Sequence, residues 1–215
     1  MKNFIFYNLI WITIFSAGCN NESQKSLPIM GRKEVKPTEL NGKVSYDTVH
    51  HTIPQFQFVN QDSLLVTHHT FDDKIYVADF FFTTCPTICP VMKTQMLRVY
   101  EKYKDNDEVL ILSHSIDPMH DTVAVLKAFS DKLGVDSRKW HFVTGNKNEI
   151  YSIGEKSYLV TAQEDGEAPG GYIHSGAFIL IDKEKRIRGM YDGTKENEVD
   201  RLMKDIQILI KEYDQ

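Results

Sequence analysis

The sequence is short of cysteine, of positive charge and of long apolar runs. Its 25 lysines and arginines are outnumbered by 30 acidic residues, a formal net charge of −5. No basic face is concentrated anywhere, which argues against a nucleic-acid partner. The longest apolar stretch, Phe4 to Phe15, is broken by Asn8 and Thr13 and falls short of the roughly 20 residues a spanning helix needs. Neither an internal repeat nor a low-complexity tract is present, which removes solenoids and arrays. Three cysteines are too few for a disulfide framework. What is left is a chain of 215 residues, 41% apolar and 26% charged, a composition that suits one globular domain with extra segments.

The first segment differs from the rest. Lys2 precedes the apolar stretch, and Ser16, Ala17 and Gly18 precede Cys19. This is the pattern of an export signal over residues 1–18. The small-small-Cys ending resembles a bacterial lipobox, which implies cleavage before Cys19 and lipidation of its thiol. An ordinary signal peptide or an uncleaved anchor would leave the domain on the same side of the membrane. The expectation is a membrane-anchored lipoprotein whose domain is outside the cytoplasm, in the periplasm. Residues 19–43 are polar, carry two prolines and lack periodicity, and read as a flexible tether. The domain proper is expected over 44–215.

From Lys74 onward, strand and helix patterns alternate. Ile75 to Phe82 is a nearly continuous apolar run, as in a central strand covered on both faces. Helical spacing follows over 91–103, a second buried strand over 109–116, a helix over 122–133 with Asp121 as its cap and Gly134 as its stop, a strand over 140–144 and a helix over 147–158. Glu164 to Gly171 reads as an irregular acidic loop. A hairpin over 175–191 and an amphipathic helix from Val199 to Ile210 close the chain. Short β-prone pieces over 53–70 suggest a further hairpin. The order β-α-β-α-β-α-β-β-α predicts an α/β thioredoxin-like fold with an N-terminal β-hairpin extension.

Cys85 and Cys89 sit where the first long strand meets its helix, the edge at which open α/β sheets carry their sites. A disulfide between them would enclose almost no loop, so its stabilisation would be small beside the ~3 kcal/mol of a fifteen-residue loop. Stapling is a poor explanation for the pair. The C-x3-C spacing lets both sulfurs face one side, and the helix start favours their thiolate forms. Two thiolates can grip a soft metal or exchange with disulfides. Thiolate and imidazole suit copper(I) or zinc. Structural zinc usually takes four protein ligands, so a site with a single added imidazole favours copper. Eight histidines could supply it: His50, His51, His68, His69, His114, His120, His141 and His174. His174 precedes a strand that in this fold runs beside the first long one, and it leads the others without excluding them. Met92 and Met96 are soft too, but their spacing beside Leu97 reads as core.

The dithiol segment Phe82 to Pro90 (FTTCPTICP), then Ser115-Ile116-Asp117-Pro118 with Asp121-Thr122, then His174-Ser175 before Ile179 to Asp182, together resemble the Sco/SenC family over roughly residues 53 to 212. The resemblance implies a membrane-tethered thioredoxin-fold copper protein that helps mature the CuA centre of cytochrome c oxidase. It implies that Cys85 and Cys89 are the thiolate ligands and His174 the imidazole ligand of a copper ion. The partner would be the copper-bearing subunit of the oxidase or another copper acceptor. This chain departs from the family in two respects. Met119-His120 stands where a basic residue is common, and a lipid on Cys19 stands in for the usual spanning helix. Asp117 and Asp121 read either as acids that order the loop or as a turn acid and a helix cap.

Two function classes follow. One is a copper-binding metallochaperone without turnover. The other is a thiol-disulfide oxidoreductase that reduces the cysteines of a copper acceptor. The extra residue between the cysteines, and His174 where such reductases carry a proline, count against the enzyme.

Overall fold

The computed structural model describes residues 26–40, 43–168 and 170–214, with Leu40, Ile173 and His174 described by their backbone alone. The expected signal segment and Cys19 lie outside the described residues.

Among the described residues, strand β1 (Lys33–Leu40) and strand β2 (Lys43–His50) pair only with each other. The central sheet has seven strands. Its middle strand, β6 (Val109–Ser115), lies parallel to β5 (Ile75–Phe81) on one side and to β7 (Trp140–Thr144) on the other. Every residue of these three strands is buried, which is why their sequences run apolar without alternation. β10 (Ala177–Ile181) lies antiparallel to β5, and β11 (Ile187–Asp192) pairs with β10 at one edge. On the other side β3 (Gln57–Asn60) pairs with β7, and β4 (Leu65–Thr67) forms the far edge.

Alternate residues of β5 serve two cores. Ile75, Val77 and Phe81 face α1 (Cys89–Tyr103), α2 (Val123–Leu133) and α4 (Glu196–Tyr213), whereas Tyr76, Ala78 and Phe80 face α3 (Lys147–Lys156). Sequentially, β5-α1-β6-α2-β7-α3-β10-β11-α4 is the expected order, and the arrangement is thioredoxin-like. Inserted between α3 and β10 is a hairpin, β8 (Ala162–Glu164) and β9 (Tyr172–His174); its tip is the acidic loop read from the sequence.

The tether reading fails for the described part of residues 19–43. Leu27 is buried in the core. The guanidinium of Arg188 donates to the Leu27 and Pro28 carbonyls at 2.6 and 3.2 Å, and Met30 N–H donates to the Ile187 carbonyl. From Lys33 the chain is a strand. Pro37 and the charged residues hid it, but a two-stranded ribbon has an outer edge on each strand where a missing N–H costs no ladder bond. The hairpin expected over 53–70 is β3 and β4, joined to the main sheet rather than standing apart from it.

The cap of α2 is Thr122, whose hydroxyl accepts from Val125 N–H at 3.4 Å, and Gly134 ends the helix with φ 69°. Asp121 is not the cap.

Candidate metal centre

The chain leaves β5 at Phe81 and turns at once, with Cys85 N–H donating to the Phe82 carbonyl at 3.3 Å. It enters α1 at Cys89, and Pro90 occupies the first turn, where its missing N–H is harmless. Ile88, at the N-cap, offers no side-chain acceptor. The first amides of a helix need partners from elsewhere. The sulfur of Cys85 supplies one, accepting from the backbone N–H groups of Thr87 and Cys89. The side chains of Cys85 and Cys89 also hydrogen-bond each other, and Thr87 Oγ1 lies 3.6 Å from the Cys85 sulfur. Cys85 is 8% exposed, and Cys89 is partly exposed.

Their acidities diverge. Burial by itself pushes the Cys85 thiol up, but the bonds from Thr87 and Cys89 outweigh it and bring the thiol below its ordinary value. Burial pushes the Cys89 thiol far up, and its proton donated to Cys85 and the nearby Asp79 add to this, against a bond from the Phe82 backbone. Cys85 is therefore the more acidic of the two thiols.

Two acids order the surroundings. The fully buried Asp121 carboxylate accepts from Thr83 N–H at 3.1 Å, from the Thr83 hydroxyl, and from the Ser115 hydroxyl at 2.6 Å. It ties the loop before Cys85 to the end of β6, so of its two readings the structure supports loop ordering. Asp117 accepts from His120 N–H at 3.3 Å and bonds the Tyr172 hydroxyl. Tyr172 packs against Phe82, ring centroids 5.0 Å apart and planes tilted by 50°. At Gly170, φ is 83°, and an added Cβ would stand 2.9 Å from the Phe82 ring and 3.1 Å from Pro86. Only glycine lets the backbone press so closely on the dithiol loop. Residues 170–172 therefore lie against that loop, and His174 is two residues further along β9. Its backbone pairs with Ala162; its side chain lies outside what is described.

Four of the other histidines are engaged elsewhere. His114 is fully buried in β6, stacked at 4.9 Å on Phe80 and edge-on to Phe58, and burial brings its pKa down to about 3. His141 is pushed down to about 4 by burial and faces Asn60 at 3.5 Å. His51 bonds the Ser157 carbonyl and His69 pairs with Asp72. Met92 and Met96 are core residues, 2% and 1% exposed.

One residue escaped the sequence reading. Asp79 is the single acid in the apolar strand β5, fully enclosed, with Ser113 Oγ donating to it and Trp140 Nε1 donating to Ser113 Oγ at 2.8 Å. Asp79, Cys89 and Met92 line a shared cavity of about 20 Å³, room for one water. Burial raises its pKa to about 7, opposed by the Ser113 bond. A carboxylate interrupting such a run was the available signal.

The SCO1/SenC family model matches residues 44–211. The chain belongs to the SCO1/SenC family. Among its relatives, a SCO1 protein homolog of Bacillus subtilis strain 168 is 30% identical over 168 residues, covering 77% of this chain and 86% of the relative. The structure of BsSco, described as a member of the Sco family of cytochrome c oxidase assembly proteins with a disulfide switch, superposes with a TM-score of 0.66 at 29% identity, over 74% of this chain and 93% of that one. Arabidopsis thaliana ScoI with copper bound gives 0.62 at 26% identity, over 74% and 98%. The thioredoxin-like domain read from the sequence is thus that of Sco proteins.

Proposed function

We propose that this chain is a copper metallochaperone: Cys85, Cys89 and His174 hold one copper ion as cargo and hand it to the copper-bearing subunit of cytochrome c oxidase or another copper acceptor. The observation that carries this reading is the sulfur pair itself, two hydrogen-bonded cysteines at the strand-to-helix turn, one sulfur accepting from backbone N–H groups. Among the described residues no three His, Cys, Asp or Glu side chains gather into a metal-binding group, and the His174 side chain is not among those described. His174 is the histidine whose strand runs on from the segment pressed against the dithiol loop. Two thiolates and an imidazole make a soft set suited to copper, and a Sco relative carries copper. Cys19 anchors the chain to a membrane through lipid, with the domain in the periplasm.

The test is copper loading of the reduced mature chain. One copper per chain, with a sulfur-to-copper(II) absorption band lost in both Cys89→Ser and His174→Ala, is expected. Absence of bound copper sinks the proposal.

A second reading draws on the unequal thiols. The Cys85 thiolate attacks a partner disulfide and releases one partner thiolate. Cys89 then loses its proton and attacks the Cys85 sulfur, which forms the Cys85–Cys89 disulfide and releases the second thiolate, so the partner gains two electrons. Such a step would keep an acceptor's cysteines reduced. Rapid disulfide exchange by a chain that binds no copper would favour it over copper transfer.

A further inference from the structure

The β1–β2 hairpin stands apart from both cores. Among the described residues its strands join no other sheet, and residues 31–39 and 43–49 are all exposed. An isolated two-stranded ribbon is marginal in water, yet this one runs eight residues on each side, about 26 Å.

The pairing defines its two faces. Directly opposed residues share a side, and so do alternate residues along a strand. The pairs Val35↔Thr48, Pro37↔Tyr46 and Glu39↔Val44 therefore gather Val35, Pro37, Val44 and Tyr46 on one side. Val35 is 64% exposed, Val44 60% and Tyr46 71%. The opposite side is satisfied in itself: Lys36 pairs with Glu34 at 3.4 Å, and the Thr38 hydroxyl donates to Asp47 at 2.7 Å. One face is thus mainly polar, with Val49, 42% exposed, near the hairpin root; the other carries Val35, Pro37, Val44 and Tyr46 beside Glu39 and Thr48.

Its position indicates what covers it. β5 runs from Ile75 toward the dithiol, and β10 is antiparallel with Ile181 opposite Tyr76. The turn between β10 and β11 is thus at the pole opposite the cysteines. The root of the hairpin is fixed at that same pole, with Met30 N–H bonded to the Ile187 carbonyl and Ile53 N–H to the Lys185 carbonyl. Cys19 precedes Ser26 by seven residues, a span of at most about 25 Å. A lipid on Cys19 therefore holds this pole close to the bilayer.

We infer that the Val35, Pro37, Val44 and Tyr46 face of the hairpin seats on the lipid surface at the tether pole and so turns the dithiol away from the membrane, toward a partner. The inference rests on the lipid anchor proposed above. Tyrosine favours the headgroup level, where its ring is sheltered and its hydroxyl stays wet. Charges along residues 32–47 nearly balance, Arg32, Lys33, Lys36 and Lys43 against Glu34, Glu39 and Asp47. The seating is therefore apolar, independent of anionic lipid and insensitive to salt.

The test uses the full mature chain, reconstituted through its own anchor into phosphatidylcholine vesicles with brominated acyl chains. Indole probes are introduced by Tyr46→Trp on the apolar face and Ser45→Trp on the polar one, read against the unsubstituted chain, whose Trp140 is 2% exposed. The Tyr46→Trp emission is expected to shift to the blue and lose intensity with brominated lipid, equally at low and high salt, while Ser45→Trp is unchanged. Equal behaviour of the two probes, or an unquenched Tyr46→Trp on a chain whose intact mass carries acyl chains, overturns the inference. A blue shift without vesicles, accompanied by dimers in sedimentation, overturns it in favour of a second copy. Intact mass without acyl chains on Cys19 removes the anchor, and the inference falls with it; copper loading, read separately, is untouched by any of these outcomes.

Discussion

Sequence position makes Cys85 and Cys89 visible, since two cysteines at a strand-to-helix junction have few other uses. Their inequality is not visible there, because it comes from which sulfur receives the amides of Thr87 and Cys89 and which feels burial and the nearby Asp79. Asp79 makes a residue-scale prediction. A carboxyl whose native pKa, about 7, lies above its ordinary 3.8 holds its proton more tightly when folded. The associated stability is complete below about pH 3.8 and is lost as pH rises through about 7. Asp79→Asn should therefore stabilise the chain most at pH 8, by no more than about 4 kcal/mol, and clearly less at pH 5. Urea unfolding at the two pH values checks this; an equal effect at both would show that the carboxyl stays ionised in the native chain.

Helices and central strands follow from periodicity and unbroken apolar runs, and those elements were legible. Elements held by pairing or by one buried charge were not. The β8–β9 hairpin has three-residue strands, too short to show alternation, and the docking of residues 27–30 depends on Arg188, far along the chain. Arg188 is 1% exposed and binds Asp182 at 3.0 Å, Glu212 at 2.8 Å and the Leu27 carbonyl. It joins the N-terminal segment, β11 and α4 in one knot. Arg188→Ala removes the cation and leaves the buried Asp182 with Arg186 as its one remaining partner among these charges. A loss of roughly 3 to 5 kcal/mol is expected, with faster amide exchange at Met30 by mass spectrometry. Full protection of Met30 in that variant would mean the segment is held by apolar contact alone.

Across the whole molecule the sheet separates two poles, with the dithiol loop at one and the docked N-terminal segment with the hairpin root at the other. The thioredoxin-like order was readable because each βαβ step carries its own pattern. Which histidine faces the sulfurs is a long-range property that eight candidates could not decide by spacing, and the burial of His114 and the partners of His51, His69 and His141 narrow the field only in three dimensions. Copper transfer depends on the ligand set. X-ray absorption at the copper edge of the loaded, reduced chain tests it most directly. Two sulfurs and one imidazole nitrogen around copper, with the imidazole scattering lost in His174→Ala, is the result expected; a shell of sulfur alone, or imidazole scattering that survives that substitution, would contradict it.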